Sequence, residues 1–423
     1  MRRRSFLKSA SAASAITIIK PGIAFGSRAN SAIRVGIMGC GGRGSAVISS
    51  MSKNTNTYII SMADLLSSKI EPARVNLNKL NAAKGLPVIP EANIYRGSKA
   101  YQQMFANKEV DAVLISSPCY SHPKYIEAAL AAGKHVYSEK PAAPDVAGCQ
   151  HVIRQGEMVK GKQSLAIGFQ IRFASAYVEM IKRIHQGDIG DVVNAQLFYL
   201  AAGAKNNPYT GMSYDEARIR NQYHFRALSG GILVDQGIHM IDVCNWALKS
   251  HPVKAFGTGG NKGAAEFGDT WTNYQIIYQY PGGINVSFHS TQQGTQSGDV
   301  CARFIGSKGI AEAHYSGGVF INGEKPWDSG IAKHKDVELT PEQRTAGIFL
   351  SSLHDADSNK DKNFINSIET GNYINEALSG SESTLTAILG RMAATSGEEM
   401  TWDEMIFSNE RLDPMLDLTQ FDK

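Results

Sequence analysis

The sequence predicts an α/β protein that begins with a doubly wound parallel sheet and continues into a second, β-rich domain. A glycine-rich turn separates a first β-type run from a helical pattern, and strand and helix patterns then alternate up to residue 169. From residue 192 on, β-type runs at 193–200, 274–280 and 284–290 are separated by turn residues such as PGG. A chain of 423 residues that is 43% hydrophobic can bury a large core and usually forms two domains.

The first β-type run, Ile33–Met38, is followed by GCGGRG and by a helical pattern that begins at Ser45. In a G-x-G-x-x-G loop the first glycine permits a tight turn, the second lets a pyrophosphate approach the backbone, and the third lets helix and strand pack closely. The N-terminus of the helix then offers unpaired N–H groups to the phosphates. We therefore predict that a dinucleotide binds at Gly39, Cys40, Gly41, Gly42, Arg43 and Gly44.

The second β-type run, 58–64, ends in the acidic residue Asp64. A carboxylate at this position accepts hydrogen bonds from the adenosine ribose and repels a 2′-phosphate, which favours NAD over NADP. Arg43 keeps NADP open, because an arginine in the glycine loop can pair with that phosphate.

Three further β-type runs, 111–116, 134–138 and 164–169, continue the alternation. The first leads into SPCYSH and the second into EKP. Ligands bind at the carboxyl ends of the strands in doubly wound sheets, so we expect both loops to border the site.

The first 26 residues form a candidate export signal. Arg3 and Arg4 precede Ser-Phe-Leu-Lys, the arrangement that the bacterial twin-arginine machinery reads. The mildly apolar run 9–19 behind them is too short and too polar to span a membrane. We predict a signal at 1–26 that is cleaved after export to the periplasm; the alternative is a basic, disordered tail.

The charge of the chain is concentrated in this segment. It holds five basic residues and no acidic one, so its removal changes the balance from 43 basic against 39 acidic residues to 38 against 39. The remaining chain has no positive excess for binding a nucleic acid, and no later stretch is apolar enough to stay in a membrane. Its five cysteines include no C-x-x-C pair, which argues against a zinc site and against a disulfide framework.

Five motifs, in order along the chain, resemble the Gfo/Idh/MocA family, which includes glucose–fructose oxidoreductase and inositol dehydrogenase. They are SPCYSH at 117–122, GKHVYSEKP at 133–141, GFQIRF at 168–173, GGILVDQGIHMID at 230–242 and WDEM at 402–405. The resemblance implies a Rossmann domain for NAD(P) at 32–171 and a C-terminal α/β domain with a large open, mostly antiparallel sheet at 172–423. In the family this sheet commonly pairs with another subunit, so we expect a homodimer or homotetramer.

The resemblance also implies further ligand-binding residues. Those expected to contact the cofactor, besides the glycine loop and Asp64, are Ser117, His122, Glu139, Lys140 and Gln170. Those expected to contact the substrate are Tyr120, Arg172 and His224. Arg172 has an equally good alternative role, which is to tie the two domains together.

The DQGIHMID motif is the candidate catalytic segment. Asp235, His239 and Asp242 are spaced i, i+4 and i+7, so on an α-helix they share one face. A neutral imidazole can take the proton of a sugar hydroxyl while hydride leaves the same carbon, and a carboxylate one turn away can orient the ring. Lys140 can place a positive charge on the oxygen that becomes a carbonyl. By resemblance, Lys140, Asp235 and His239 are the catalytic residues. Asp235, His239 and Asp242 could instead bind a metal ion, but the positive charge of Lys140 would repel it.

The function expected from these residues is an NAD(P)-dependent oxidoreductase. It would act on a secondary hydroxyl of a sugar or glycoside, for example at C3, with a tightly bound cofactor that is regenerated in place. One alternative is an NAD-dependent enzyme that cleaves glycosides by transient oxidation and elimination. The relatives of that kind share the GGRG loop, but they have E-V-P where this chain has EKP and they lack its D-x-G-x-H segment. Another alternative is a non-catalytic sugar-binding protein.

Overall fold

The computed structural model describes residues 31–203, 206–293, 299–331 and 352–422. The candidate export signal at 1–26 lies outside the described residues. No helix in the described part of the chain is long and apolar enough to cross a membrane.

The N-terminal sheet has six strands in the order β3-β2-β1-β4-β5-β6, and all of its pairings are parallel. The strands are β1 Ile33–Met38, β2 Thr57–Asp64, β3 Ile94–Arg96, β4 Ala112–Ile115, β5 His135–Ser138 and β6 Leu165–Ile167. Their side chains are almost all buried, as expected for strands covered on both faces by crossover helices. The predicted parallel doubly wound sheet is confirmed.

Five helices connect these strands. They are α1 Gly42–Asn54, α2 Ser67–Ala83, α3 Ala100–Ala106, α4 His122–Ala131 and α5 Val146–Val159. The order of the strands changes direction beside β1, which brings the carboxyl ends of β1, β4 and β5 to one edge with the N-terminus of α1.

The second sheet has nine strands in the order β14-β13-β12-β11-β7-β10-β9-β8-β15. The strands are β7 Val192–Leu200, β8 Lys254–Gly260, β9 Asn273–Tyr280, β10 Ile284–Thr291, β11 Val300–Gly306, β12 Gly309–His314, β13 Val319–Gly323, β14 Trp327–Asp328 and β15 Met400–Thr401. β7 and β10 pair in parallel, whereas the other named neighbours pair antiparallel. The mostly antiparallel sheet that the family resemblance implied is therefore present.

Helices cover one face of this second sheet. The remaining helices are α6 Ser175–His185, α7 Tyr214–Arg220, α8 Arg226–Ser229, α9 Ile238–Leu248, α10 Ala356–Thr370, α11 Ala377–Ser396 and α12 Trp402–Ser408. α11 lies so close to the sheet that a Cβ atom on Gly390 would stand 2.1 Å from the hydroxyl of Tyr278. On the opposite face, which no helix of the described residues covers, side chains such as Gln275, Ile277 and Ser287 are exposed or half-buried.

The C-terminal part of the chain also packs on the Rossmann sheet. The N–H of Glu376 donates to the carbonyl of Leu165 at 2.8 Å, and its carboxylate accepts from the N–H of Ile167 at 2.8 Å. α10 packs against α1 and brings Asp357 to the glycine loop. The sequence-based segment 172–423 therefore contains elements that complete the first domain as well as the second, because β6 and α1 leave apolar surface that α10 and α11 cover.

All five cysteines lie in the described residues, and all are buried and free. No disulfide links them.

Candidate active site

A cavity of about 220 Å³ opens where the carboxyl edge of the Rossmann sheet meets the start of α9. Its walls come from both domains. The lining residues are Arg43, Ser116, Ser117, Cys119, His122, Glu139, Lys140, Pro141, Gly168, Gln170, Tyr199, Gln222, Tyr223, Ser229, Asp235, Gln236 and His239. The structure thus brings the three predicted catalytic residues and six of the residues predicted to bind the cofactor to one place, with Lys140 belonging to both sets.

The glycine loop has the geometry that a dinucleotide requires. Gly39 has φ of 96°, and a Cβ atom there would lie 2.6 Å from the carbonyl carbon of Ser116. A Cβ on Gly44 would lie 2.1 Å from the carbonyl oxygen of Gly39, whereas a Cβ on Gly41 would meet nothing within 4 Å. The loop is therefore closely packed behind and open in front of Gly41, so the residues present fit a pyrophosphate at the N-terminus of α1.

Asp64 braces this loop. Its carboxylate accepts hydrogen bonds from the backbone N–H of Cys40 at 2.7 Å and of Leu66 at 2.8 Å. Burial raises the pKa of Asp64 although these hydrogen bonds oppose the rise. The Cys40 amide is consequently committed to Asp64 rather than directed at the cofactor, which differs from its predicted role. Each oxygen of Asp64 retains a lone pair, so the predicted contact with the ribose stays a prediction.

Arg43 points away from Asp64 and into the catalytic cavity. Its guanidinium donates to Gln170 Oε1 at 2.8 Å and lies 3.1 Å from Glu139 and 3.5 Å from Asp357. Burial opposes the charge, but Glu139 and Asp357 outweigh it and raise the pKa of Arg43. Because three side chains of the protein already contact Arg43, this residue is less suited to bind the 2′-phosphate of NADP.

His122 joins the two loops that follow β4 and β5. Its ring nitrogens lie 2.8 Å from the carbonyl oxygen of Pro141 and 2.8 Å from that of Ser117. The hydroxyl of Ser117 forms a hydrogen bond of 2.7 Å with that of Ser121. Burial lowers the pKa of His122. Both ring nitrogens face backbone carbonyl groups, so His122 holds the loop after β4 and the loop after β5 together at the cavity.

Lys140 stands just beyond β5 and reaches across to the second domain. Its Nζ donates a hydrogen bond to the backbone carbonyl of Asp235 and lies 3.6 Å from Oδ1 of the same residue. Both side chains are largely buried, with exposed fractions of 15% and 16%. The ammonium group is therefore fixed at the border of the two domains, with its remaining protons available to a ligand.

A π-helical turn, Leu233–Gly237, leads into α9 and sets the position of Asp235. A Cβ on Gly237 would lie 2.6 Å from Cζ of Phe288, so the close neighbour that excludes a side chain there is the ring of Phe288 on β10. Because a π-helical turn is wider than a regular α-helical turn, the side chains of Asp235 and His239 do not share one face as the i, i+4 spacing assumed. The Asp235 carboxylate accordingly faces Lys140 and makes no hydrogen bond to His239.

His239 is a buried, uncharged imidazole. Its side chain lines the cavity, and its Nδ1 is buried without a hydrogen-bond partner among the described residues. Burial lowers the pKa of His239 well below its ordinary value, and the positive charges of Lys140 and Arg43 lower it further. The rings of Tyr199 and Tyr315 flank it, with centroid distances of 6.5 Å and 6.0 Å. We predicted that Asp235 orients the ring of His239. In the structure, the rings of Tyr199 and Tyr315 position it instead.

The structure places Arg172 in its alternative role. Its Nε lies 3.1 Å and 3.0 Å from the two oxygens of Asp242, and its Nη2 lies 2.8 Å from Oδ1. Oδ1 of Asp242 also accepts a hydrogen bond from the hydroxyl of Ser383 at 2.7 Å. Arg172 is absent from the lining of the catalytic cavity, because this fork-to-fork pair joins the end of the Rossmann domain to α9 and α11.

The two other residues predicted to bind substrate also lie outside this lining. Tyr120 turns toward the Arg218 region, where burial raises its pKa to about 12. His224 lines a second cavity. In their place the catalytic cavity contains Tyr199, Gln222 and Tyr223. The polar run QYH at 222–224 was the available signal for two of these, while nothing in the sequence separates Tyr199 from its neighbours on β7.

One group of potential metal ligands occurs among the described residues, on the second sheet and outside this cavity. Asp299, Cys301 and His314 have ligand atoms within 4.8 Å of one another. The two ring nitrogens of His314 already lie 2.6 Å from Glu312 and 3.5 Å from Asp299, so carboxylates of the protein occupy both positions of the ring.

Comparison with known proteins agrees with this architecture. A family model described as an oxidoreductase family with an NAD-binding Rossmann fold matches residues 33–165, and the GFO/IDH/MocA C-terminal domain matches residues 177–312. An inositol 2-dehydrogenase of Rhizobium meliloti is 25% identical over 370 residues, which cover 87% of this chain and 97% of the relative. An inositol 2-dehydrogenase/D-chiro-inositol 3-dehydrogenase of Halalkalibacterium halodurans is 33% identical, but the match spans only 37% of this chain and 39% of the relative.

Solved structures share the whole fold at low identity. A scyllo-inositol dehydrogenase from Lactobacillus casei with bound NAD(H) and scyllo-inositol has a TM-score of 0.66 and 21% identity, covering 88% of this chain and 99% of the other. An aldose–aldose oxidoreductase from Caulobacter crescentus complexed with glycerol has a TM-score of 0.66 and 19% identity over the same shares. Both domains of this chain match the models of one family, and the chain therefore belongs to the Gfo/Idh/MocA oxidoreductases.

Proposed function

We propose that this protein is an NAD-dependent dehydrogenase that oxidises a secondary hydroxyl of a sugar, glycoside or related polyol. One observation carries the proposal. A lysine ammonium and an uncharged histidine, Lys140 and His239, line a single cavity beside a glycine loop that fits a dinucleotide. The named relatives, which act on inositols, support the same class of substrate.

His239 and Lys140 have different roles in the proposed reaction. When bound, NAD supplies the acceptor for hydride from the carbinol carbon. His239 accepts the hydroxyl proton, because only a neutral imidazole has a free lone pair. Lys140 donates a hydrogen bond to the same oxygen and stabilises the negative charge that develops on it. The contacts of Asp235 hold Lys140 in place. Tyr199 and Tyr315, which flank His239, limit the access of water to the ring.

NAD, rather than NADP, is the cofactor that the geometry favours. Asp64→Ala should weaken NAD binding by about tenfold and shift the preference toward NADP, since it removes hydrogen bonds to the ribose and a repulsive charge. Arg43→Gln is the control, and it should leave the ratio of the two affinities unchanged because Arg43 is engaged by Glu139, Gln170 and Asp357. Titration calorimetry with NAD and NADP measures both ratios. A wild type that prefers NADP, and loses that preference in Arg43→Gln, would reverse the assignment.

Because His239 and Lys140 are both proposed to act in the hydride step, we expect substitutions of either residue to slow that step. His239→Asn should bind cofactor and sugar but lose about 10²–10⁴-fold in the hydride step, the usual contribution of general base catalysis. Lys140→Ala should lose about 10²–10³-fold, the usual cost of one electrostatic donor. Lys140→Arg should recover little, because a planar fork cannot replace a point charge in a closed site.

Single-turnover reduction of bound cofactor, followed by the absorbance of reduced nicotinamide, measures this step. Lys182→Ala and His151→Asn are matched controls, since both residues lie outside the cavity. Lys182 pairs with Glu179, and the ring of His151 lies 3.3 Å from Glu127. Near-wild-type reduction in a Lys140 or His239 variant would remove that residue from the mechanism. Normal reduction with cleavage of the glycoside would favour the elimination chemistry, and binding without reduction would favour a sugar-binding protein.

We further propose export and self-association. The twin-arginine segment supports a periplasmic enzyme that carries its NAD with it, and recovery of an Arg3,Arg4→Lys variant in the periplasm at wild-type level would contradict this. The partly exposed face of the second sheet, with side chains such as Gln275 and Ile277 that no described helix covers, supports a homodimer or homotetramer. Light scattering that finds a monomer at micromolar concentration would contradict the second proposal.

A further inference from the structure

Beyond α12 the chain continues as an extended segment, residues 412–422, which we call the strap. It contains no strand, and its one regular element is a short 3-10 turn at Leu418–Phe421. Every second residue from 412 to 420 is partly buried, whereas the residues between them are exposed. This alternation is that of an extended chain with one face against the body of the protein. The inward residues are Leu412, Pro414, Leu416, Leu418 and Gln420.

The two ends of the strap are bonded to two loops at the carboxyl edge of the Rossmann sheet. The N–H of Leu412 donates to the carboxylate of Asp145 at 2.8 Å, in the loop between β5 and α5. The carboxylate of Asp422 accepts hydrogen bonds from the N–H and the hydroxyl of Ser98, at 2.6 Å and 2.8 Å, in the loop that follows β3. In the order of the strands, β1 with its glycine loop and β2 with Asp64 lie between these two loops.

Between its ends the strap is bonded to α7. The N–H of Asp417 donates to Oδ2 of Asp215 at 2.8 Å, and Nε2 of Gln420 lies 3.3 Å from the same oxygen. Nη2 of Arg218 donates to the carbonyl of Met415 at 2.8 Å. Because α7 follows β7 of the second sheet, the strap binds elements of both domains at once.

The strap and α7 both reach the part of the sheet edge where the adenosine end of NAD is expected. The N–H of Gly97, which precedes Ser98, donates to the carbonyl of Asp64 at 3.2 Å. From α7, Nη2 of Arg220 donates to the hydroxyl of Ser68 at 3.1 Å, in the first turn of α2. The carboxylate of Asp64 is the predicted partner of the adenosine ribose. The loops after β2 and β3, which border that position, are therefore the ones that α7 and the strap contact.

Opening the strap would not disrupt a hydrophobic core. None of its residues is fully buried, and Met415 is 78% exposed, whereas most of α11 is buried. The hydrogen bonds that Asp417 and Asp422 form with α7 and with the loop after β3 are exposed to solvent. Segments of this kind open locally at a small fraction of the free energy of global unfolding. We expect the strap to open and close while both domains stay folded.

We propose that the strap is a latch that retains the cofactor. While its bonds to Ser98 and Asp215 are closed, it keeps α7 against the loop after β2 and slows the release of NAD. When these bonds open, α7 is free to move and the cofactor exchanges. The proposal rests on the proposed NAD-dependent function, and it names the part of the chain that keeps NAD bound between turnovers.

The test measures the exchange of NADH in the full-length protein. Asp422→Ala removes both hydrogen bonds to Ser98 and leaves the catalytic cavity intact. The protein is loaded with NADH and chased with excess NAD while the fluorescence of bound NADH is followed. The dissociation rate should rise by about tenfold, the effect expected from two lost hydrogen bonds. The association rate should rise as well, because a closed latch slows entry and release alike. Asp403→Ala, which removes an exposed carboxylate of α12, is the control and should change neither rate.

A second variant and a melting curve separate a latch from a segment that only stabilises the fold. Gln420→Ala combined with Asp422→Ala also loosens the bond to α7, so it should raise the dissociation rate further, by up to about a hundredfold. The melting temperature of the cofactor-free protein should stay within about 3 °C of the wild type in both variants. Unchanged NADH rates in both variants, with or without a lower melting temperature, would overturn the latch. If no sugar reduces the cofactor in the wild type but both variants release NADH faster, the dehydrogenase function fails while the latch stands.

Discussion

The contact between Lys140 and Asp235 is the interaction on which the site depends. Lys140 belongs to the Rossmann domain and Asp235 to the turn before α9, so this contact fixes the start of α9, and with it the proposed base, relative to the loop that follows β5. A lysine that is only 15% exposed needs partners, and here they are a backbone carbonyl and a carboxylate from the opposite domain. Arg172 and Asp242 repeat the arrangement further along α9. Two partly buried ion pairs thus hold the start and the middle of α9 against the Rossmann domain, and His239 lies between Asp235 and Asp242 in the sequence.

The same charges account for the state of His239. Burial and the neighbouring cations keep its pKa low, which makes the imidazole a weaker base but leaves it unprotonated and ready to accept a proton. Arg43 would add more positive charge to the cavity if Glu139 and Asp357 did not balance it. Asp357 comes from α10, near the end of the chain. α10, which packs against the Rossmann domain, therefore also supplies a negative charge that balances Arg43 in the site.

Sequence patterns predicted the fold, and they predicted which motifs border the cavity. The glycine loop, the EKP motif and the DQGIHMID motif each predicted a side chain or turn that lines the cavity. The patterns failed where the partner is distant in sequence or the helix is irregular. Asp235 turns to Lys140 because a π-helical turn replaces the regular helix that the i, i+4 spacing assumed. The Cys40 amide is bonded to Asp64, and the partner of Arg172, for which the sequence left two roles open, is Asp242, seventy residues away. No local pattern reports such pairings.

The central claim is that Lys140 and an uncharged His239 form a dehydrogenase site for polyhydroxylated substrates. The most direct measurement is the absorbance spectrum of the purified wild-type protein, loaded with NAD, before and after the addition of individual sugars, glycosides and inositols. The account predicts that at least one of them produces the reduced nicotinamide band stoichiometrically with the protein. A spectrum that none of these compounds changes, in a protein shown to bind both NAD and a sugar, would contradict it.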